Sequence, residues 1–212
     1  MPALLMAHLA GAAFYGIRLG GFLYWRSKNW AEWGQRAKNA PEAKAQTVWA
    51  KIAVVGGCAL LYAFMCSPML WHVLSANVIP GYFQPVVAIG VAVLWAGALL
   101  EAVADHQKSS FKFSEAGKNR WCDTGVYAKI RHPNYTGELM FWIGNFLAGL
   151  PGMWLSKVWP ILPALLGLSF INYLMTTQAK GQDAKQAERY GDNAEYKAWV
   201  ERTGSLFYKD WY

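Results

Sequence analysis

The sequence predicts an all-α integral membrane protein of about five transmembrane helices, and three observations carry that expectation. Hydrophobic residues make up 55% of the 212-residue chain and charged residues only 16%. This excludes an intrinsically disordered chain, because disorder goes with low hydrophobicity and high charge. The apolar residues are gathered into runs of membrane-spanning length, so the mean hydropathy of +0.12 averages over apolar and charged blocks. With five passes, 18 of the 20 Lys and Arg residues fall on one side, the asymmetry expected of a membrane protein.

Each pass needs about 20 mostly apolar residues to cross roughly 30 Å of hydrocarbon. The runs that supply them are Pro2–Trp25, Ile52–Leu74, Phe83–Ala104, Tyr135–Leu150 (extending as far as Leu155) and Val158–Thr177. A Pro151-Gly152 break between the last two suits a tight helical hairpin. Loop 26–51, loop 105–134 and tail 177–212 each carry six Lys or Arg, whereas the opposite side carries only Lys157. The N-terminus is therefore expected on the trans side and the C-terminus in the cytosol, matrix or stroma. The membrane is expected to be the mitochondrial inner membrane, endoplasmic reticulum, a plastid membrane or the bacterial inner membrane.

Twelve Trp residues fit this arrangement. Trp25, Trp30, Trp49 and Trp121 are expected near the charged face and Trp71, Trp154 and Trp159 near the other, where amphipathic rings favour the headgroup level. The start lacks a basic n-region, so no cleavable signal peptide is expected. The chain reads as a single membrane domain, 1–212, with residues 178–212 as a surface tail that is helical to about residue 202 and breaks near Gly191-Asp192.

Three Cys in 212 residues exclude a disulfide scaffold. Cys58, Cys66 and Cys122 lack metal-ligand spacing and read as free thiols. His8, His72, His106 and His132 are scattered along the sequence, so no metal is expected. The net charge of +7 flanks apolar runs rather than forming a soluble basic face. The expected partners are therefore anionic lipid or an anionic cofactor, not nucleic acid.

Ionisable groups near the membrane are the informative ones, because burying them is costly. Arg18 lies inside the first run and is expected to snorkel or to pair with a helix carboxylate. Glu101 and Asp105 share a face of the third helix, and Asn134 and Glu138 share a face of the fourth. Between them, loop 105–134 supplies Lys108, Lys112, Lys118, Arg120, Lys129 and Arg131. Acceptors at helix ends beside loop cations suit a polyanionic ligand with hydroxyls, such as a nucleotide. The same cations also fit lipid headgroups.

Several ordered pieces resemble the steroid 5-alpha-reductase family. They are Glu101-x3-Asp105-x-Gln107-Lys108-x2-Phe111, Asp123-Thr124-Gly125-Val126-Tyr127, and Arg131-His132-Pro133-Asn134-Tyr135-x-Gly137-Glu138 followed by Trp142-x-Gly144. Tyr190-Gly191, Tyr196-Lys197-x-Trp199 and Arg202-Thr203 resemble the family's tail, and Arg18-Leu19-Gly20 with Arg26 resembles an earlier family helix. The resemblance implies an NADPH-dependent reductase of a carbon–carbon double bond conjugated to a ketone, acting on a steroid- or isoprenoid-like lipid. Carried over by position, it implies cofactor contacts at Asp105, Lys112, Arg120, Asn134, Tyr135 and Glu138, and it names no catalytic residue. It also implies a short form, without the two N-terminal helices that supply much of the family's substrate pocket. Glu101 replaces an amide found in some members, and Gly181-Gln182-Asp183 departs from an apolar family pattern.

Two other functions compete. One is a non-catalytic accessory subunit, derived from this family, of a large respiratory or photosynthetic membrane complex. The other is an isoprenylcysteine-type methyltransferase using S-adenosylmethionine. Those enzymes share an Arg-His-Pro-x-Tyr-x-Gly signature, but the paired glutamates of their tails are missing here.

Overall fold

The computed structural model describes residues 2–29 and 47–206. Its frame is five long helices: α1 (Pro2–Asn29), α2 (Val48–Ser75), α3 (Gln84–Phe113), α4 (Pro133–Leu155) and α5 (Ile161–Tyr190). A short helix, α6 (Ala194–Arg202), follows. Among the described residues there is no strand, only one isolated parallel bridge between Ile130 and Gly204. The all-α membrane expectation holds. Four of the long helices are apolar and long enough to cross a membrane, namely α1, α2, α3 (with the turn before it) and α5. The fifth, α4, is an interior helix, buried along most of its length. It meets neighbouring helices more than lipid, so it carries glycines and polar residues that lower its hydropathy.

Local signals set the boundaries. Thr47 caps α2 by accepting from the Ala50 N–H at 3.2 Å, and Asn193 caps α6 by accepting from Glu195 and Tyr196. Pro85 and Pro133 stand in the first turns of α3 and α4, where a missing N–H costs nothing. Pro68 lies inside α2 and cannot donate to the Phe64 carbonyl. The Ser67 hydroxyl takes that carbonyl instead, at 2.7 Å.

Three boundaries differ from the sequence expectation. Pro151-Gly152 does not break the fourth helix; α4 runs on to Leu155. The turn comes afterwards, where Lys157 and Val158 adopt positive φ. Helix α3 continues two turns past Ala104 to Phe113, so the first part of the 105–134 segment is helical. Helix α5 absorbs the start of the tail and ends at Tyr190, and α6 begins after a turn at Gly191-Asp192, as expected. Loop 26–51, with Trp30, lies mostly outside the described residues.

The helices alternate in direction. Glycines on two helices bring α3 and α4 into backbone contact. A Cβ on Gly90 would lie 2.4 Å from the Ala148 nitrogen, and one on Gly144 would lie 2.3 Å from the Leu94 nitrogen. Close approach at small residues is how membrane helices associate, since lipid gives little hydrophobic drive. Gly149 and Gly152 do the same against Pro68 and Trp71 of α2. Helix α4 is thus the centre of the bundle. Ile52, Val55, Leu60 and Leu70 on α2 and Leu162, Leu166 and Tyr173 on α5 stay exposed, which suits a lipid-facing surface. At one end of the bundle Trp71 meets Trp159 edge to face, 6.0 Å apart. Trp121 corrects its expected role. It is 4% exposed, packed with Tyr190, Tyr196 and Trp199, and so is core to the tail rather than an interfacial anchor.

Candidate functional site

The signature Arg131-His132 sits just before α4 and is buried. Both side chains converge on Asp183 of α5. Arg131 Nε and Nη2 reach the carboxylate at 3.2 and 3.3 Å, and His132 Nε2 donates to Oδ1 at 2.8 Å. The Ser205 hydroxyl donates to the other oxygen at 2.7 Å. Arg131 also donates to the carbonyls of Val200 and Thr203, and backbone N–H groups of Arg131 and His132 donate to Gly204 and Ser205. Thr136 donates to the Leu206 carbonyl. This knot holds the chain after α6 against the start of α4. Burial pushes His132 below its ordinary value, with Asp183 opposing the shift. Burial likewise pushes the Cys122 thiol up, so it is inert at neutral pH. Among the described residues all three cysteines are free.

A second cluster lies deeper. Arg18 of α1 reaches Asp105 Oδ2 at 2.6 Å and Glu101 Oε1 at 2.8 Å, the pairing expected for an intramembrane arginine. Asp105 is therefore engaged by a cation of its own chain. Lys112 donates to the Arg120 carbonyl at 2.5 Å and braces the loop from within. Arg120 pairs with Asp123 at 3.0 Å and Glu195 at 3.4 Å and lies over the Trp121 ring, but its side chain remains 43% exposed. Tyr135 stacks on His132, ring centroids 5.4 Å apart.

Asn134 and Glu138 stand apart from these pairs. Asn134 Oδ1 is buried without a hydrogen-bond partner. One turn on, Glu138 lines a cavity of about 350 Å³ between α1, α2 and α4. Its walls include Tyr15, Leu19, Tyr62 and Trp142, and Asn145 borders it seven residues along α4 from Glu138. The Tyr15 hydroxyl and the Trp142 indole N–H are directed at the Glu138 carboxylate, and Glu101 Oε2 of α3 is buried without a partner. Buried polar groups normally find partners, so the unmatched Asn134 Oδ1, one turn before the cavity-lining Glu138, marks where a ligand's donor fits. The six residues named from sequence thus separate. Asp105, Lys112 and Arg120 are held by the chain itself, Tyr135 stacks within it, Glu138 faces Tyr15 and Trp142 on the cavity wall, and Asn134 has capacity left.

Two groups were not visible in the sequence. Asp183 was read only as a departure from an apolar pattern, yet it is the hub of the knot. Its signal was a carboxylate one turn along from the buried Ala179, on a helix whose other charges are exposed. His8 and His72, read as scattered, are brought together: their Nδ1 atoms are 2.9 Å apart, and His8 Nε2 is 3.0 Å from Asn145 Oδ1. Sixty-four residues separate them, so no local spacing shows the pair. Among the described residues no group of three or more His, Cys, Asp or Glu is placed to hold a metal ion.

The family described as "Protein of unknown function (DUF1295)" matches residues 2–203, nearly the whole described bundle, signature and tail included. The chain belongs to that family. No curated protein and no solved structure shows significant similarity to this DUF1295 chain.

Proposed function

We propose that this DUF1295 protein is a membrane reductase that uses NADPH to reduce a carbon–carbon double bond conjugated to a ketone in a lipid-soluble substrate. The observation that carries it is the unpartnered Asn134 Oδ1, one turn from Glu138 at the edge of a largely apolar cavity. The signature's resemblance to the steroid 5-alpha-reductases supports it. NADPH would supply hydride to the β-carbon of the enone. Asn134 Oδ1 fits the N–H of a carboxamide, and the half-exposed Arg120 fits a phosphate. Asp105 and Lys112 then shape the pocket through Arg18 and the Arg120 carbonyl. Tyr15 and Glu138, both on the cavity wall, would hold the ketone end. A hydroxyl or carboxyl there would donate to the developing enolate oxygen. Apolar walls exclude water and suit a steroid- or isoprenoid-like body. The basic end of the bundle faces the cytosol, matrix or stroma, where the nucleotide and anionic lipid headgroups are met.

Protein purified into lipid nanodiscs, given NADPH and a panel of enone lipids, tests this. Enone-dependent oxidation of NADPH is the expected result. A second reading, an accessory subunit of a respiratory or photosynthetic membrane complex, draws on the self-pairing of Asp105 and Arg120. No oxidation with any enone, together with stoichiometric co-purification with a larger complex, would establish that reading instead. Binding of S-adenosylmethionine without NADPH would point to methyl transfer.

A further inference from the structure

His8 of α1 and His72 of α2 are both fully buried, at the end of the bundle away from the basic loops. Asn145 fixes their protonation pattern. Its Nδ2 donates to the Met65 carbonyl at 2.8 Å, so its oxygen faces His8 and can only accept. His8 therefore carries a proton on Nε2, 3.0 Å from that oxygen. A neutral His8 then has a bare Nδ1. His72 must donate to it from its own Nδ1 across 2.9 Å, which leaves a neutral His72 with a bare Nε2. That nitrogen is buried and has no hydrogen-bond partner.

The surroundings are apolar. Helix α3 meets this region with Leu94 and Trp95 beside Gly11, and the Trp95 indole is spent on the Ala7 carbonyl. Helix α5 brings Ala164 and Leu168 against Asn145. The nearest charged residues along the packed helices are Arg18, Glu101 and Glu138. They lie ten, six and seven residues from His8, Trp95 and Asn145, which is about two turns or more. The two imidazoles face each other directly, the N-terminal amino group also acts on His72, and Cys66 lies near Asn145 on the cavity side. Asn145 also borders the cavity that Glu138 lines.

The geometry points to a buried proton-binding pair whose accepting atom is His72 Nε2. A proton taken there makes His72 an imidazolium whose Nδ1–H stays bonded to His8 Nδ1. His8 keeps its Nε2 proton on Asn145 Oδ1, and the bound proton leaves by the nitrogen at which it entered. This site does not rest on the reductase reading.

The test is imidazole ¹⁵N NMR of the protein in nanodiscs, titrated with acid in the absence of nucleotide and enone. His72→Phe assigns the pair, and the exposed His106 serves as reference. The expected result is His8 as the Nε2–H tautomer, His72 as the Nδ1–H tautomer, and coupling across the Nδ1–H···Nδ1 bond. His72 Nε2 should take the first proton. Asn145→Leu should release the His8 tautomer preference. A His72 Nε2–H tautomer at neutral pH, absent coupling, or His8 protonating before His72 would overturn the proton-binding pair. Enone turnover with an unresponsive pair would sink the pair alone, and a responsive pair without turnover would sink the reductase alone.

Discussion

The knot at the start of α4 and the cavity one turn deeper use the same signature to opposite ends. In the knot, one carboxylate of Asp183 serves Arg131, His132 and Ser205 together, and the remaining Arg131 donors meet backbone carbonyls. One turn before the cavity-lining Glu138, by contrast, Asn134 Oδ1 has no partner. The first pattern holds a tail in place; the second leaves bonding capacity for something else. A signature read only as a string of residues merges the two. Arg131 and His132, its most conspicuous members, are spent on the knot, and the proposed chemistry falls to its less conspicuous second half.

The largest expected effect strikes the knot. Asp183→Ala leaves a buried guanidinium without its carboxylate, which costs about 3–5 kcal/mol. Thermal unfolding in detergent should show the loss, and limited proteolysis should open the chain beyond α6. Stability equal to wild type would remove the knot from the account. Glu138→Gln should do the reverse, lowering turnover about 10²-fold with an unchanged melting temperature. A drop in stability equal to that of Asp183→Ala would mean the two regions are not distinct.

Smaller effects sharpen the contrast. Gly144→Ala puts a methyl 2.3 Å from the Leu94 nitrogen and forces α3 and α4 apart, at a cost of about 1–3 kcal/mol. Its signature is a joint loss of stability and turnover, seen by parallel melting and enone assays. Arg120→Ala breaks only exposed pairs, worth about 1 kcal/mol or less. It should nonetheless weaken NADPH binding about tenfold in a fluorescence titration. Unchanged affinity would confine Arg120 to the loop.

The fold was legible because its signals are periodic and local: apolar runs of spanning length, basic residues between them, and caps such as Thr47 and Asn193. Pro151 misled because proline breaks helices in water, whereas packing around α4 lets the helix continue through it. The site was legible only where residues are close in sequence, as Asn134 is to Glu138. Arg18 meets Asp105 across 87 residues and Arg131 meets Asp183 across 52. Such pairs form when helices are stacked, and no spacing encodes them. The cavity was invisible for the same reason, since its walls come from three helices.

The central claim is that the unpartnered Asn134 acceptor, one turn before the cavity-lining Glu138, receives a nucleotide. NADPH titration of wild type and Asn134→Ala in nanodiscs tests it most directly. The account predicts saturable binding by wild type and clearly weaker binding by the variant, with the melting temperature retained. Equal affinity for both proteins, or no binding by wild type, would contradict it.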